Sequence, residues 1–380
     1  MKPSTALALV LTAASGQALA QDAEFEPQVL TEEERIPEGP NFLVLDQAWA
    51  GPSMINVLGA DDFAMKGNIG VGTTGQMALS PDGQTLYTTS VYFERYSYGE
   101  VTAVLQEYDV PTLSMTREIE ISNKLAQVES QPALLATIDD GAFVLAQNAT
   151  PATSISVIDL EAGAQIAEIP TPGCWAAIPA TEGRRFTTLC GDGTMSSFTF
   201  EPDGSFGEPA VSEVIFDPDD DALFTNPVRT PDGLVFASFK GNLYVVDDGG
   251  ETPELVETVT VSGTQLGNWA PGGSEVIGYS AATDTAFLLM HEDAYEGSHK
   301  DPAEEIWAVD MESGEVAGRG AANEETGIVV DASDPPVLFT AGVGGGVYRY
   351  TTETGDEVAI SEDGAMDHVG DFLTVMAVNR

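Results

Sequence analysis

The sequence has 380 residues, with 61 acidic against 14 basic side chains and a formal net charge of −47. That balance excludes nucleic acid as a partner, because phosphates require a basic footprint. It reads as a solubilising surface suited to salt, where screening relieves self-repulsion, with steering of a cationic partner as the alternative, and the 43 % apolar content is enough for a sizeable core.

Residues 1–20 read as a secretory signal peptide. Lys2 is the positive start, Ala6 to Ala14 a short apolar run, and Ala18-Leu-Ala20 a small-residue cleavage signal. The run is too short to span a bilayer, and no other stretch reaches about 18 apolar residues, so a soluble mature chain with no membrane contact is expected. Residues 21–40 are acidic and aperiodic, and read as an exposed N-terminal arm.

From Asn41 the pattern changes. Short runs such as Phe42-Leu-Val-Leu45, Gln84–Ser90, Ala142–Ala146, Ser154–Ile158, Leu234–Ser238, Asn242–Val246 and Val347–Tyr350 alternate with Gly, Pro and Asp clusters. These are strands bounded by turns, and no long segment has a helical period.

The strands repeat. An apolar strand ending in Asp, or a residue like it, recurs at Val57–Asp61, Glu107–Asp109, Val157–Asp159, Val245–Asp247 and Ala308–Asp310, with weaker copies at Thr199–Asp203 and Arg349–Thr351. Tight turns alternate with it at Ser80-Pro-Asp-Gly83, Asp139-Asp-Gly141, Thr230-Pro-Asp-Gly233 and Pro271-Gly-Gly273. Two turn signals per unit suit four antiparallel strands. Such a unit cannot bury both faces alone, and stacking units around an axis solves this. The expectation is an all-β, seven-bladed β-propeller over residues 41–380, with the strands near Asn41–Asp46 and Phe372–Ala377 sharing the blade that closes the ring. A β-sandwich or a solenoid is the structural alternative.

Cys174 and Cys190 are the only cysteines. In an exported chain they read as a disulfide, since a redox or metal pair would want C-x-x-C spacing and a nearby histidine. His291 and His299 read as loop residues rather than metal ligands. Asp217–Asp221 opens like a calcium loop, but Ala222 and Val228 stand where the loop requires Gly and Glu, so a solvated acidic turn is expected. Gly342–Gly346 reads as a hairpin turn, not a dinucleotide fingerprint. No nucleophile elbow or P-loop is present.

Four segments resemble the large (heavy) subunit of the quinoprotein amine dehydrogenases, nearest to the aromatic amine (aralkylamine) branch and related to the methylamine dehydrogenase heavy chain. They are Thr89–Gly99 with its Glu94-Arg95, Gln147–Ser154 leading into Val157-Ile-Asp159, Gly173-Cys-Trp with Cys190-Gly-Asp-Gly193, and Asn268–Gly273 followed by His299-Lys300 and Glu305-Ile-Trp307. The resemblance spans roughly Phe42 to Arg380. It implies a periplasmic seven-bladed propeller of the quinoprotein amine dehydrogenase (YVTN-like) class, paired with a small subunit in a two-plus-two heterotetramer. The small subunit would carry tryptophan tryptophylquinone and the catalytic aspartate, so this chain would hold no catalytic, cofactor-binding or metal residue. The implied reaction oxidises a small primary amine, aromatic in preference, to aldehyde and ammonia. Electrons would pass to a blue-copper protein of the azurin/amicyanin type.

Two departures stand out. Where the family carries a channel-shaping phenylalanine, this chain has Val71-Gly-Thr-Thr-Gly-Gln76, which makes Val71, Gly72, Thr73 and Thr74 the substrate-channel candidates. Glu100-Val101 follows Gly99 where the family tends to be basic, which leaves docking of the usual copper protein open. The rival readings are a methylamine dehydrogenase heavy chain, a stand-alone exported propeller that binds a ligand or protein without redox chemistry, and a lactonase-like propeller hydrolase, which would need convergent metal ligands.

Overall fold

The computed structural model describes residues 33–261, 268–355 and 357–379. The expected signal peptide and most of the expected arm lie outside the described residues. The end of that arm lies on the strands: Ile36 N donates to Pro111 O at 2.9 Å, and Lys66 Nζ to Pro40 O at 3.0 Å.

The described elements are antiparallel strands and two single turns of 3₁₀ helix, Pro132–Leu134 and Ser298–Lys300. The first sheet runs in the order Leu373–Asn379, Asn41–Asp46, Ser53–Gly59, Met65–Val71, so the two ends of the chain share one sheet, with Asn41 opposite Asn379. Backbone hydrogen bonds rather than a covalent link therefore join first strand to last. Four more four-stranded sheets follow, starting on the inner strands Thr73–Leu79, Leu135–Ile138, Cys174–Pro179 and Val228–Thr230. Inner strands lie side by side from Leu373–Asn379 through Thr73–Leu79 and Leu135–Ile138 to Cys174–Pro179, and again from Val228–Thr230 to Ile277–Ser280; between these two runs Ile178 and Leu234 share a core cluster. The architecture is an all-β propeller.

Seven separate blades are not formed. Five sheets are four-stranded, and the strands of Ala270–Met366 make one eight-stranded sheet. The cause is Val316–Val330, which runs unbroken along two neighbours: its first part pairs with Ala303–Asp310, its last with Val337–Gly342. Glu325 is the pivot, opposite Ala303 on one side and Gly342 on the other. Its fully buried carboxylate accepts from Tyr350 Oη, from Thr340 Oγ1 at 3.3 Å and from Asn323 N, so the backbone stays clamped where other boundaries have a loop.

The sequence repeat has a structural counterpart. In the pairing of third with fourth strand a register shift recurs at Val57/Leu58, Glu107/Tyr108, Val157/Ile158, Val245/Val246, Ala308/Val309 and Arg349/Tyr350. A bulge of this kind adds local twist to an outer edge. The Asp that follows caps the next turn, as when Asp159 Oδ1 accepts from Ala162 N at 2.8 Å and Asp310 Oδ1 from Ser313 N at 2.7 Å. The copy at Thr199–Asp203 lacks the shift, because its fourth strand is only Ala210-Val211.

Burial follows position. Phe143–Asn148 and Thr285–His291 are buried on both faces, because a neighbouring sheet covers each. Glu254–Thr260, an outer strand, is almost wholly exposed. Aromatic pairs fill the spaces between sheets: Phe42 stacks on Phe339 at 5.1 Å, and Phe143 meets the edge of Phe200 at 5.3 Å.

Candidate functional site

The segment 122–134, which joins two sheets, crosses one end of the central channel. It is held by side chains from several sheets. Ser130 N donates to Gln47 Oε1 at 2.7 Å and Ser130 Oγ to Gly75 O at 2.6 Å; Gln131 N donates to Gln76 Oε1 at 3.0 Å. Across the channel, Ser274 Oγ donates to Glu129 Oε1 at 2.5 Å. Glu129 and Gln131 line one cavity, termed the mouth cavity, and Pro132 and Ala133 line a second, termed the inner cavity because it abuts the inner strands.

The mouth cavity has a volume of about 520 Å³ and is lined by Glu129, Phe224, Phe239, His299, Lys300 and Phe372 among others. His299 stacks on Phe239 with centroids 4.0 Å apart. Burial, then the neighbouring charge of Lys300, pushes the imidazole below its ordinary value, so it is neutral above the usual histidine range.

The inner cavity, about 420 Å³, is walled by the inner strands: Ala177, Ile178, Ile277, Ile328 and Met376 present apolar surface. Glu275 also lines it and is only 7 % exposed. Its Oε1 has no hydrogen-bond partner among the described residues. Burial, reinforced by repulsion from Glu129, raises the carboxyl well above its ordinary value. No sequence signal marked Glu275: it follows a glycine-rich turn and looks like punctuation.

The channel candidates lie elsewhere. Val71 ends the Met65–Val71 strand and is buried, while Thr73 opens the next sheet opposite Val91. Between them Gly72 N donates to Ser90 Oγ at 2.8 Å, and a Cβ on Gly72 would meet Ser90 Cβ and Val91 N at 2.8 Å, so only glycine fits. Thr74, at φ 51°, donates its N–H to Ala48 O at 3.4 Å. Thr74 thus helps hold the loop that carries Trp49, and neither cavity includes any of the four residues in its lining.

That loop belongs to an exposed aromatic surface. Trp49 is 55 % exposed and packs against Phe372, which lines the mouth cavity, with ring centroids 6.1 Å apart. Tyr96 Oη donates to Ala50 O at 3.0 Å, and Arg95 lies 4.8 Å over the Tyr98 ring.

Other readings resolve as follows. Cys174 and Cys190 form the expected disulfide. His291 is not a loop residue but the buried end of the Thr285–His291 strand, with Nδ1 3.0 Å from Glu292 O; His299 sits on the Ser298–Lys300 turn. Asp221 is not solvated either: it is buried and accepts from Lys240 N, Asn242 Nδ2 and Tyr244 Oη, and burial of the phenol, then the charge of Asp221, pushes Tyr244 up to about 12. Among the described residues no group of three or more His, Cys, Asp or Glu could hold a metal, and no helix is long and apolar enough to cross a membrane.

Residues 35–376 match the family described as methylamine dehydrogenase heavy chain (MADH). The methylamine dehydrogenase heavy chain of Methylobacillus flagellatus is 24 % identical over 318 residues, covering 81 % of this chain and 77 % of that one. The heavy chain of Methylorubrum extorquens is also 24 % identical, over 84 % of this chain and 78 % of its own. Among solved structures, a candidate 6-phosphogluconolactonase from Bacteroides fragilis superposes with a TM-score of 0.62 at 11 % identity, over 92 % of this chain and 99 % of that one. At that identity the likeness concerns the fold alone.

Proposed function

We infer the function from one premise: the chain belongs to the methylamine dehydrogenase heavy chain family. It is accordingly a heavy subunit of the quinoprotein amine dehydrogenase type. We propose that it works as the non-catalytic large subunit of a periplasmic enzyme, in a two-plus-two heterotetramer with a small subunit that bears tryptophan tryptophylquinone. When bound, that group would supply the acceptor for the two electrons released as a primary amine and water become aldehyde, ammonia and two protons, and a blue-copper protein would carry those electrons away. This chain's part is to seat the small subunit and to wall the substrate's approach.

The observation that carries this reading beyond the family is the aromatic surface of Trp49, Phe372, Tyr96 and Tyr98 beside the mouth cavity. Large exposed aromatics grouped around a channel mouth are the composition of an interface core. The tryptophans of this chain support placing the quinone on the partner. Trp307 is fully buried, with Nε1 bonded to Glu305 at 2.7 Å, and it shares the Arg319 guanidinium with Trp269. The disulfide supports an oxidising compartment.

For the substrate we propose a primary amine, aromatic in preference, because Thr73 offers less bulk than the phenylalanine the family resemblance places there. The test is the complex purified from its host. A visible quinone band that bleaches with phenylethylamine faster than with methylamine, and a second small chain on the gel, is the expected result. Faster bleaching by methylamine reverses the substrate preference. A single colourless chain, inert to both, overturns the whole reading in favour of a stand-alone binding propeller.

A further inference from the structure

We propose that the inner cavity of this chain is a binding site for a small organic cation, an alkylammonium or arylalkylammonium, whose charge rests on the Glu275 carboxylate and whose apolar body lies against the inner strands.

Three observations carry it. The cavity, about 420 Å³, falls in the range of small-molecule sites. Its wall is Ala133, Ala177, Ile178, Ile277, Ile328 and Met376, surface that an inorganic ion could not use but a hydrocarbon body could. Into this wall is set one carboxyl, 93 % buried, with an oxygen unmatched among the described residues. A buried polar atom without a partner is costly, and a carboxylate more so, so its retention marks a place for a donor that binds there. An ammonium offers three donors and the countercharge at once.

The other charged side chain of the wall, and its phenol, are already committed. Arg229 lines the cavity but is held by Asp248 through two bonds of 2.8 Å. Tyr279 Oη donates to Asp284 at 2.7 Å. A divalent metal would want six or more oxygen ligands, and among the described residues no carboxylate or imidazole cluster gathers there.

Binding is linked to a proton. Without ligand, burial and the nearby Glu129 favour the neutral carboxyl. With ligand, the ammonium favours the carboxylate, so R–NH₃⁺ enters and one H⁺ leaves Glu275. The titratable groups around the site are Arg229, paired with Asp248, and Tyr279 in the lining, and Glu129 on the crossing segment, whose charge acts on Glu275. Affinity therefore rises with pH until Glu275 is ionised in the free protein.

The site needs neither the quinone nor the partner, so it stands or falls apart from the proposed function. The experiment is calorimetric titration of the full chain with n-butylammonium chloride, at about pH 6 and about pH 8. The expected result is one saturable site, tighter at the higher pH, with net proton release on binding at the lower pH when buffers of different ionisation enthalpy are compared. Glu275→Gln, which keeps shape and removes charge, weakens binding at least about tenfold. Ala136→Leu, which fills the cavity without touching Glu275, also weakens it. Butan-1-ol and ammonium chloride each bind at least about tenfold more weakly than butylammonium. Equal affinity in the wild type and Glu275→Gln overturns the assignment, as does binding without proton release or the absence of a saturable site. Ammonium matching butylammonium overturns the organic class of the ligand.

Discussion

Cys174 and Cys190 are direct cross-strand partners, one on the innermost strand of its sheet and the other on the strand beside it, with Cα atoms 3.9 Å apart. The bridge ties two strands that backbone hydrogen bonds already join, 16 positions apart in sequence. Replacing both by serine should cost about 3 kcal/mol, the chain-entropy value for a loop of this size. Denaturant unfolding of the oxidised wild type against the double variant checks it. An unchanged midpoint would mean the reduced chain is equally constrained by the ladder.

Arg319 lies over two adjacent indoles, its guanidinium carbon 4.5 Å from the Trp307 ring centroid and 4.9 Å from that of Trp269, with Nε 2.6 Å from Glu305 Oε2. The pair with Glu305 is partly exposed, so its ionic share is small and stacking dominates. Arg319→Lys keeps the charge and loses the planar fork, and should cost about 0.5–1 kcal/mol; Arg319→Ala should cost about 1–2 kcal/mol. Urea unfolding followed by tryptophan fluorescence reads both. No loss in Arg319→Lys beside a full loss in Arg319→Ala would assign the effect to charge alone.

Glu275 makes stability fall with rising pH. Its folded value is raised by burial and by Glu129, so the folded state keeps a proton that the unfolded state loses at the ordinary carboxylate value of about 4.3. The contribution is fully present below that value and is lost as pH rises through the raised one. Glu275→Gln removes the slope. In amine-free buffer the variant should match the wild type near pH 4 and exceed it by about 1–3 kcal/mol near pH 9, the cost of an unmatched buried polar group. Parallel stability curves for the two proteins would show that Glu275 does not titrate as described.

Trp49 and Phe372 should behave as anchors for the small subunit. Trp49→Ala should weaken assembly by about 2 kcal/mol and Phe372→Ala by about 1 kcal/mol, with the isolated chain's unfolding midpoint nearly unchanged because Trp49 is mostly exposed. Sedimentation of mixed subunits measures it. Undiminished assembly in both variants would move the interface elsewhere.

Thr73→Phe tests the substrate-channel assignment in the assembled enzyme. Added bulk should lower kcat/KM for phenylethylamine relative to methylamine by about tenfold, the effect of a pocket losing a few methylene volumes. An unchanged ratio would remove Thr73 from the channel.

Much of this protein is decided along the chain. The Asp-ended strand repeat follows from local rules, since an apolar run, a bulge and an Asp-capped turn lie within a few residues of one another, as at Val157–Ala162. The disulfide was legible because only one pairing exists, and the closing of first strand on last because both ends carry strand-like runs. The family could be named from short strings such as Gly173-Cys-Trp with Cys190-Gly-Asp-Gly193. Three features were settled only by the tertiary structure. The eight-stranded sheet depends on Tyr350, 25 positions downstream of Glu325, reaching back to its carboxylate, a contact without local pattern. Asp221, set in an acidic run that reads as solvated, is buried because Asn242 and Tyr244 converge on it from another strand. Glu275 acquires its unmatched carboxyl from strands all around the channel, so its environment is a property of the closed ring. Periodicity reports which face of a strand is buried. What that face meets is fixed by packing between segments distant in sequence, and that is where the raised carboxyl and the cavity beside it come from.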